Sequence, residues 1–325
     1  MRKLSRKDFL RMTAASSMAL PLLGYGCMGR AGKAGEGSGT DAGKATGDLA
    51  SGGTFYDEVG FQVFTLRDLL VDNAPTLFKG LAGAGIRNIE FYDPRTLNRY
   101  VPIVKEYGMI PLATHFQSGY VTGIWEPGQE PGDGYGFDNV LEDCVNNGIH
   151  YLGVAILTRS EQEALDSFKS FAEKANVCGE KAKAAGVQLY YHNHNFEFRP
   201  MGGTTPYQAM LNIFDKDLVK LELDVFWNTV AGQDPVEWIN RIAPWMLFLH
   251  LKDLKKGATI PVYTTSIPVD SFIELGEGMI NLEGILKAGR DAGLKYAIID
   301  QDVTQMEDKI ASVKKNTAYI RELGI

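Results

Sequence analysis

Gly186-Val187-Gln188-Leu189-Tyr190-Tyr191-His192-Asn193-His194-Asn195-Phe196-Glu197-Phe198 holds one complete repeat of the fold. Upstream, Glu161–Ala185 has the spacing of an amphipathic helix, and Gly186 stands where such a helix ends in a left-handed residue. Gln188–Tyr191 is a short apolar run of the kind buried on both faces of a parallel sheet. His192–Phe198 then turns abruptly polar. Helix, glycine, strand and polar end recur along the rest of the chain.

Working outward, strand-like runs lie at Gly60–Phe64, Asn88–Tyr92, Ile110–Thr114, Tyr151–Ile156, Val219–Leu223, Met246–Leu251 and Tyr296–Ile299. Helix-like segments between them include Ala74–Ala84, Pro235–Ile242, Leu282–Ala292 and Glu307–Leu323. Gly85, Gly108 and Gly293 occupy the same helix-ending place as Gly186. Strands alternating with helices across residues 54–325 predict an α/β fold, a (β/α)8 TIM barrel in a single domain. No Gly-x-Gly-x-x-Gly follows the first strand, which argues against a dinucleotide-binding open sheet.

Composition narrows the partners. The 325 residues are 45% hydrophobic, enough for one large core. A net charge of -7 leaves no general excess of Lys and Arg for a phosphate backbone, so no nucleic-acid partner is expected. Cys27, Cys144 and Cys178 form neither an even framework nor a CxxC pair; Cys144 and Cys178, in helix-like stretches, are expected to be buried free thiols.

The first residues read as an address. Met1-Arg2-Lys3-Leu4-Ser5-Arg6-Lys7-Asp8-Phe9-Leu10-Arg11 is basic, and an apolar stretch from Met12 to Gly26 follows, the order of an export signal. Ser5–Arg11 is similar to a twin-arginine signal, with Lys7 where the second arginine belongs. Leu22–Cys27 resembles a lipoprotein box, with Cys27 as the lipidated residue and a membrane tether. Residues 28–53 are mostly Gly, Ala, Ser and Thr and read as a flexible linker. Signal peptide 1–27, linker 28–53 and barrel 54–325 describe an exported bacterial protein, periplasmic or membrane-anchored.

In a β/α barrel the chemistry sits where strands meet the loops at their C-terminal ends. There the sequence places Gln62, Glu90, His115, His192, His194, Glu197, Asp224, His250, Lys252 and Asp300. Four of the five histidines fall at these ends, with only His150 elsewhere. Imidazoles and carboxylates converging from separate rigid strands are what a divalent cation needs.

As a set, YHNHNFEF at Tyr191–Phe198, LELDVFW at Leu221–Trp227, HLKD at His250–Asp253, GEG at Gly276–Gly278 and IIDQD at Ile298–Asp302 resemble the sugar phosphate isomerase/epimerase group of xylose-isomerase-like TIM barrels. GFQVFTLRDLL from Gly60 is similar to that group's first strand and helix, so the resemblance runs from about Val59 onward. It implies a divalent metal (Mn2+, Mg2+, Co2+ or Zn2+) held at the ends of strands 5 to 8. Asp224 and His250 fall on the strand-6 and strand-7 ligands. His192 stands where many relatives carry Glu, and Asp300 where they carry Glu one methylene longer.

Among the remaining residues, Glu197, Lys252, His115 and Glu90 are catalytic candidates. Glu197 would supply a carboxylate that His192 lacks, Lys252 would hold a substrate oxygen or polarise a carbonyl, and His115 and Glu90 would serve acid/base work. His194, Trp227, Phe116, Trp125 and Gln62 are substrate-binding candidates, the aromatics as walls for the C–H face of a sugar. Gly276-Glu277-Gly278 is expected to form a tight loop over the rim.

The resemblance implies an isomerase or epimerase that abstracts a proton next to a sugar carbonyl; the export signal, with no Gly-rich phosphate loop or Arg/Lys cluster in the sequence, points to a non-phosphorylated sugar, a keto-sugar or a glycoside. Relatives also include lyases and hydratases of 3-keto-sugars or 3-keto-glycosides that would share an enediolate. A sugar-binding lipoprotein without chemistry is the alternative of another class. A zinc phosphodiesterase of the endonuclease IV type is disfavoured by the acidic charge and the few histidines.

Overall fold

The computed structural model describes Phe55, residues 58–132 and residues 134–325. The signal segment, the linker and Cys27 lie outside the described residues. Eight parallel strands close a barrel in the order β1-β8-β7-β6-β5-β4-β3-β2. They are β1 (Gly60–Gln62), β2 (Asn88–Phe91), β3 (Ile110–Phe116), β4 (Tyr151–Val154), β5 (Gln188–His192), β6 (Val219–Asp224), β7 (Met246–Leu251) and β8 (Tyr296–Ile299). Gly85, Gly108, Gly186 and Gly293 all have the positive φ expected of residues that end a helix. Cys144 and Cys178 are buried and free, and burial raises both thiols, Cys144 to about 12 and Cys178 to about 11.

Of the boundaries that differ from the sequence reading, three have a clear local reason. β1 stops at Gln62 because its side chain accepts from Phe64 N at 3.2 Å and starts a 3-10 turn, Val63–Leu66. The first helix begins earlier than Ala74, at Arg67, and breaks at Asn73, just before Pro75. The long helix begins at Leu165 rather than Glu161. Glu161 is instead drawn inward, accepting from Ser118 Oγ at 2.6 Å, Thr158 Oγ1 at 2.7 Å and Thr158 N at 2.8 Å.

Within the barrel, side chains alternate between the lumen and the surrounding helices. Leu112, Ala113, Tyr190, Phe248 and Ile298 form an apolar plug low in the lumen, separate from the main core. Tyr190 fits because its neighbour on β4 is Gly153, where any Cβ would overlap the Tyr190 ring. After β7, a two-stranded antiparallel ribbon pairs Asp253–Leu254 with Phe272–Ile273 and brackets the loop between them.

Candidate active site

Strand register brings the polar ends to one level. Gln62 pairs with Glu90, His192 with Glu222, and Asp224 with His250. The two-residue period sets Tyr190 and His192 on the lumen face, likewise Glu222 with Asp224 and Phe248 with His250. A polar layer therefore rests directly on the apolar plug.

The lower part of that layer is a cage of three imidazoles and two carboxylates. His115 Nε2 lies 2.9 Å from Glu222 Oε2 and 3.3 Å from Glu90 Oε1. His192 Nδ1 lies 3.0 Å from Glu222 Oε2. His250 Nε2 lies 2.6 Å from Glu90 Oε2 and 3.1 Å from Glu222 Oε1. Glu90 is held from outside by Gln62 at 2.8 Å and by the Tyr190 hydroxyl. Burial works against charge on His115 and His250, yet the facing carboxylates outweigh it and raise both. His192 is pushed well down, by burial first and then by its imidazole neighbours. Burial raises Glu222 to about 7.

The upper part is organised around one ammonium. Lys252 Nζ sits 2.7 Å from Asp300 Oδ2, 3.1 Å from Asp224 Oδ2 and 3.1 Å from Asp302 Oδ2. Burial opposes its charge, but these three carboxylates hold Lys252 well above the usual lysine value. His250 joins the two levels: its Nδ1 is 3.3 Å from Asp300 Oδ2 and 3.8 Å from Asp224 Oδ2.

Above the layer opens a cavity of about 250 Å3, lined by Gln62, Phe64, Tyr92, His115, His192, His194, Lys252, Asp300 and Asp302, among others. Of the sequence candidates, His192, Asp224, His250, Asp300, Lys252, His115, Glu90 and Gln62 come together here. Trp227 is buried behind His194, with ring centroids 5.1 Å apart, so it backs the cavity without lining it.

Three candidates are placed elsewhere. Phe116 follows inward-facing His115 on β3, so alternation turns it outward, where it packs on Phe137 at 5.7 Å. Trp125 packs edge-on against Tyr120 at 4.7 Å and over Gly119, outside the cavity lining. Glu197 is fully buried and braces the loop after β5, accepting from the Tyr191 hydroxyl at 2.7 Å and from His194 N at 3.0 Å. It supplies no carboxylate to the cavity. The GEG segment turns tightly beside the end of β7, where Gly276 N and Gly278 N donate to Asp253 Oδ2 at 2.9 and 3.0 Å.

Glu222, Tyr190 and Asp302 were missed as site residues. The signal for the first two was strand alternation, since Glu222 and Tyr190 lie two residues from Asp224 and His192. Asp302 stands in the IIDQD motif, but its place beside Lys252 depends on a left-handed backbone at φ 53 just beyond β8, which the sequence does not show.

Residues 81–322 match the family model described as xylose isomerase-like TIM barrel. The chain belongs to the xylose isomerase-like TIM barrel family. An inosose dehydratase of Clostridium perfringens (strain ATCC 13124) is 27% identical over 148 residues, 42% of this chain and 48% of that protein. The match thus spans about half the length of this curated relative. A sugar phosphate isomerase/epimerase of Parabacteroides distasonis ATCC 8503 superposes with a TM-score of 0.62 at 24% identity, covering 85% of this chain and 97% of that one. The IolI protein with a bound zinc atom superposes with a TM-score of 0.57 at 15% identity, covering 82% of this chain and 96% of that one.

The donor set of this xylose isomerase-like barrel fits a divalent cation. His115, His192, Glu222 and His250 offer ligand atoms within 4.8 Å of one another, as do Asp224, His250 and Asp300. Glu222 Oε1, Asp224 Oδ2 and His250 Nδ1 are buried with ion-pair contacts at 3.1, 3.1 and 3.3 Å but no hydrogen bond of good geometry. Imidazole–carboxylate separations of 2.9, 3.0 and 3.1 Å in the lower cage match the spacing of about 3 Å between ligands that each stand ~2.1 Å from a shared ion.

Proposed function

We propose that this chain is a divalent-metal-dependent isomerase or epimerase that abstracts a proton next to the carbonyl of a non-phosphorylated sugar. The observation that carries the reading is the cage of imidazoles and carboxylates beneath a cavity edged by Lys252. His115, His192, Glu222 and His250 would hold the cation. Asp224 and Asp300, assigned as ligands from the resemblance, already have the Lys252 ammonium among them. Asp300 faces the other ring nitrogen of His250 and orients it, as carboxylates commonly do behind a ligating imidazole. When bound, the cation supplies positive charge to stabilise negative charge developing on substrate oxygen.

The chain's own groups do the rest. Lys252, charged and held by three carboxylates, would turn the donor now facing Asp302 to the substrate carbonyl oxygen, which also frees the Asp302 carboxylate. Asp302 moves the proton: it lines the cavity, and burial raises its carboxyl to about 6, a value suited to proton transfer near neutrality. Its left-handed backbone is a strain of the kind that gathers at working sites. Among the described residues, Lys252 is the one lysine or arginine on the cavity lining, and Asp300 and Asp302 stand beside it. That charge pattern repels a phosphate and supports an unphosphorylated substrate.

The dehydratase name of the Clostridium perfringens relative favours one second outcome at the same site, loss of a β-substituent after the same proton removal. Export through the signal segment, with a lipid on Cys27, remains part of the proposal. It rests on the basic and apolar order of residues 1–27, and it would place the enzyme among free and glycosidic sugars.

Metal-replete protein in D2O, followed by NMR over a panel of free and keto-sugars, tests the reading. Deuterium should enter at the carbon next to the carbonyl and should fail to do so in Asp302→Asn with its metal retained. Sugar binding without exchange or turnover would instead make the chain a binding protein.

A further inference from the structure

The 250 Å3 cavity is small. Sites that enclose a whole drug-sized ligand run to roughly 300–1,000 Å3, so this one has space for a single sugar ring. It does not stand alone. A second cavity of about 730 Å3 shares two of its walls, Gln117 and Ile156. A molecule lying across those two residues occupies both compartments.

The outer lining is chemically unlike the inner one. Amides and hydroxyls such as Gln129, Gln162, Thr265 and Ser266 dominate it, set among apolar surfaces of Leu157 and Tyr263. Its one carboxylate, Glu126, already accepts from Arg159 N at 2.6 Å. Neutral donors and acceptors beside apolar patches suit the hydroxyl and C–H faces of a sugar. They offer a single guanidinium, that of Arg159, to an anion and no metal ligands.

This compartment is also held open by built features. Tyr263 keeps a left-handed backbone at φ 62, costly for an aromatic residue, which holds its ring at the groove. Asn195, one residue past His194, donates to Thr264 O at 3.0 Å and ties the groove loop to the end of β5. Gln162 Nε2 donates to Leu157 O at 2.8 Å, and Arg199 donates to Gln162 O at 2.9 Å, fixing the opposite wall.

We propose that the outer groove is a second saccharide subsite, so that the substrate is a glycoside whose reacting ring enters the inner cavity while the attached sugar lies against Tyr263, Thr265 and Gln162. This rests on the reading of the inner cavity as a sugar site and names the substrate class it takes.

Calorimetric titration of the metal-loaded full chain tests it, using a panel of disaccharides and the monosaccharides that compose each. At least one disaccharide should bind about tenfold or more tightly than either component, a gain of about 1.4 kcal/mol. Thr265→Trp and Ser266→Trp, made separately at exposed positions so that the fold survives, should bring that ratio down toward one. Equal affinity for disaccharides and monosaccharides, no binding of any disaccharide, or a ratio unmoved by both tryptophans overturns the subsite. Deuterium exchange on monosaccharides reads the inner cavity alone, so loss of exchange with the ratio intact would strike the proposed reaction and leave the subsite standing.

Discussion

The two nitrogens of His250 face two differently balanced regions. On the Nε2 side, Glu90 and Glu222 are countered by imidazoles, groups that would give up their protons to a bound cation. On the Nδ1 side, Asp224, Asp300 and Asp302 are countered by the Lys252 ammonium, a charge that stays. Both regions are buried and acidic, yet one is exchangeable and the other permanent. The lesson is that a cluster of carboxylates at a strand end does not by itself locate a metal. The nature of the cation already present decides which side is available.

The change that should break this contrast most strongly is Glu222→Gln, which removes the carboxylate touching all three imidazoles. Bound metal should be lost, and kcat/KM should fall by about a thousandfold, read by metal analysis and turnover. Retained metal would move the ion to the other side of His250.

Lys252→Met should act differently. Turnover falls by about a hundredfold while metal content holds. Denaturant unfolding should show a loss of about 3–5 kcal/mol, because buried carboxylates lose their partner. A rise in bound metal would mean that the ammonium had been standing in for an ion.

The smallest effect sharpens the comparison from outside both regions. Burial raises the Glu197 carboxyl from 4.5 to about 7. The folded state therefore favours its protonated form. The resulting stabilisation is complete below pH ~4.5 and is lost as pH rises through about 7, roughly 3 kcal/mol in all. Denaturant unfolding at pH 5 and pH 8 should show that fall in the wild type and a shallower one in Glu197→Gln. Equal slopes would mean that the loop carrying His194 does not depend on this proton.

Much of this was legible because strands alternate. The barrel and the approach of His192, Asp224, His250 and Asp300 to one another follow from apolar runs that end in polar residues. The same alternation, pressed further, points Glu222 inward and Phe116 outward. Local capping was harder to see. Gln62 bends the chain after β1 through its own amide, and Glu161 leaves the helix pattern for buried hydroxyls. The ammonium at the rim was hidden because its three partners come from the ends of two other strands, β6 and β8, with Asp302 adopting a backbone that sequence does not announce.

Asp253 has a consequence beyond its own bonds. Its carboxylate gathers the backbone N–H groups of Leu254, Gly276, Gly278 and Ile280, and a Cβ at Gly278 would overlap that carboxylate. The two ends of the long excursion after β7 are thereby buttoned together beside Lys252. Changes in residues 255–271 would alter what the proposed sugar site recognises without moving the ammonium next to the button. On the proposed function, that leaves a loop free to vary in specificity above a fixed set of charged groups.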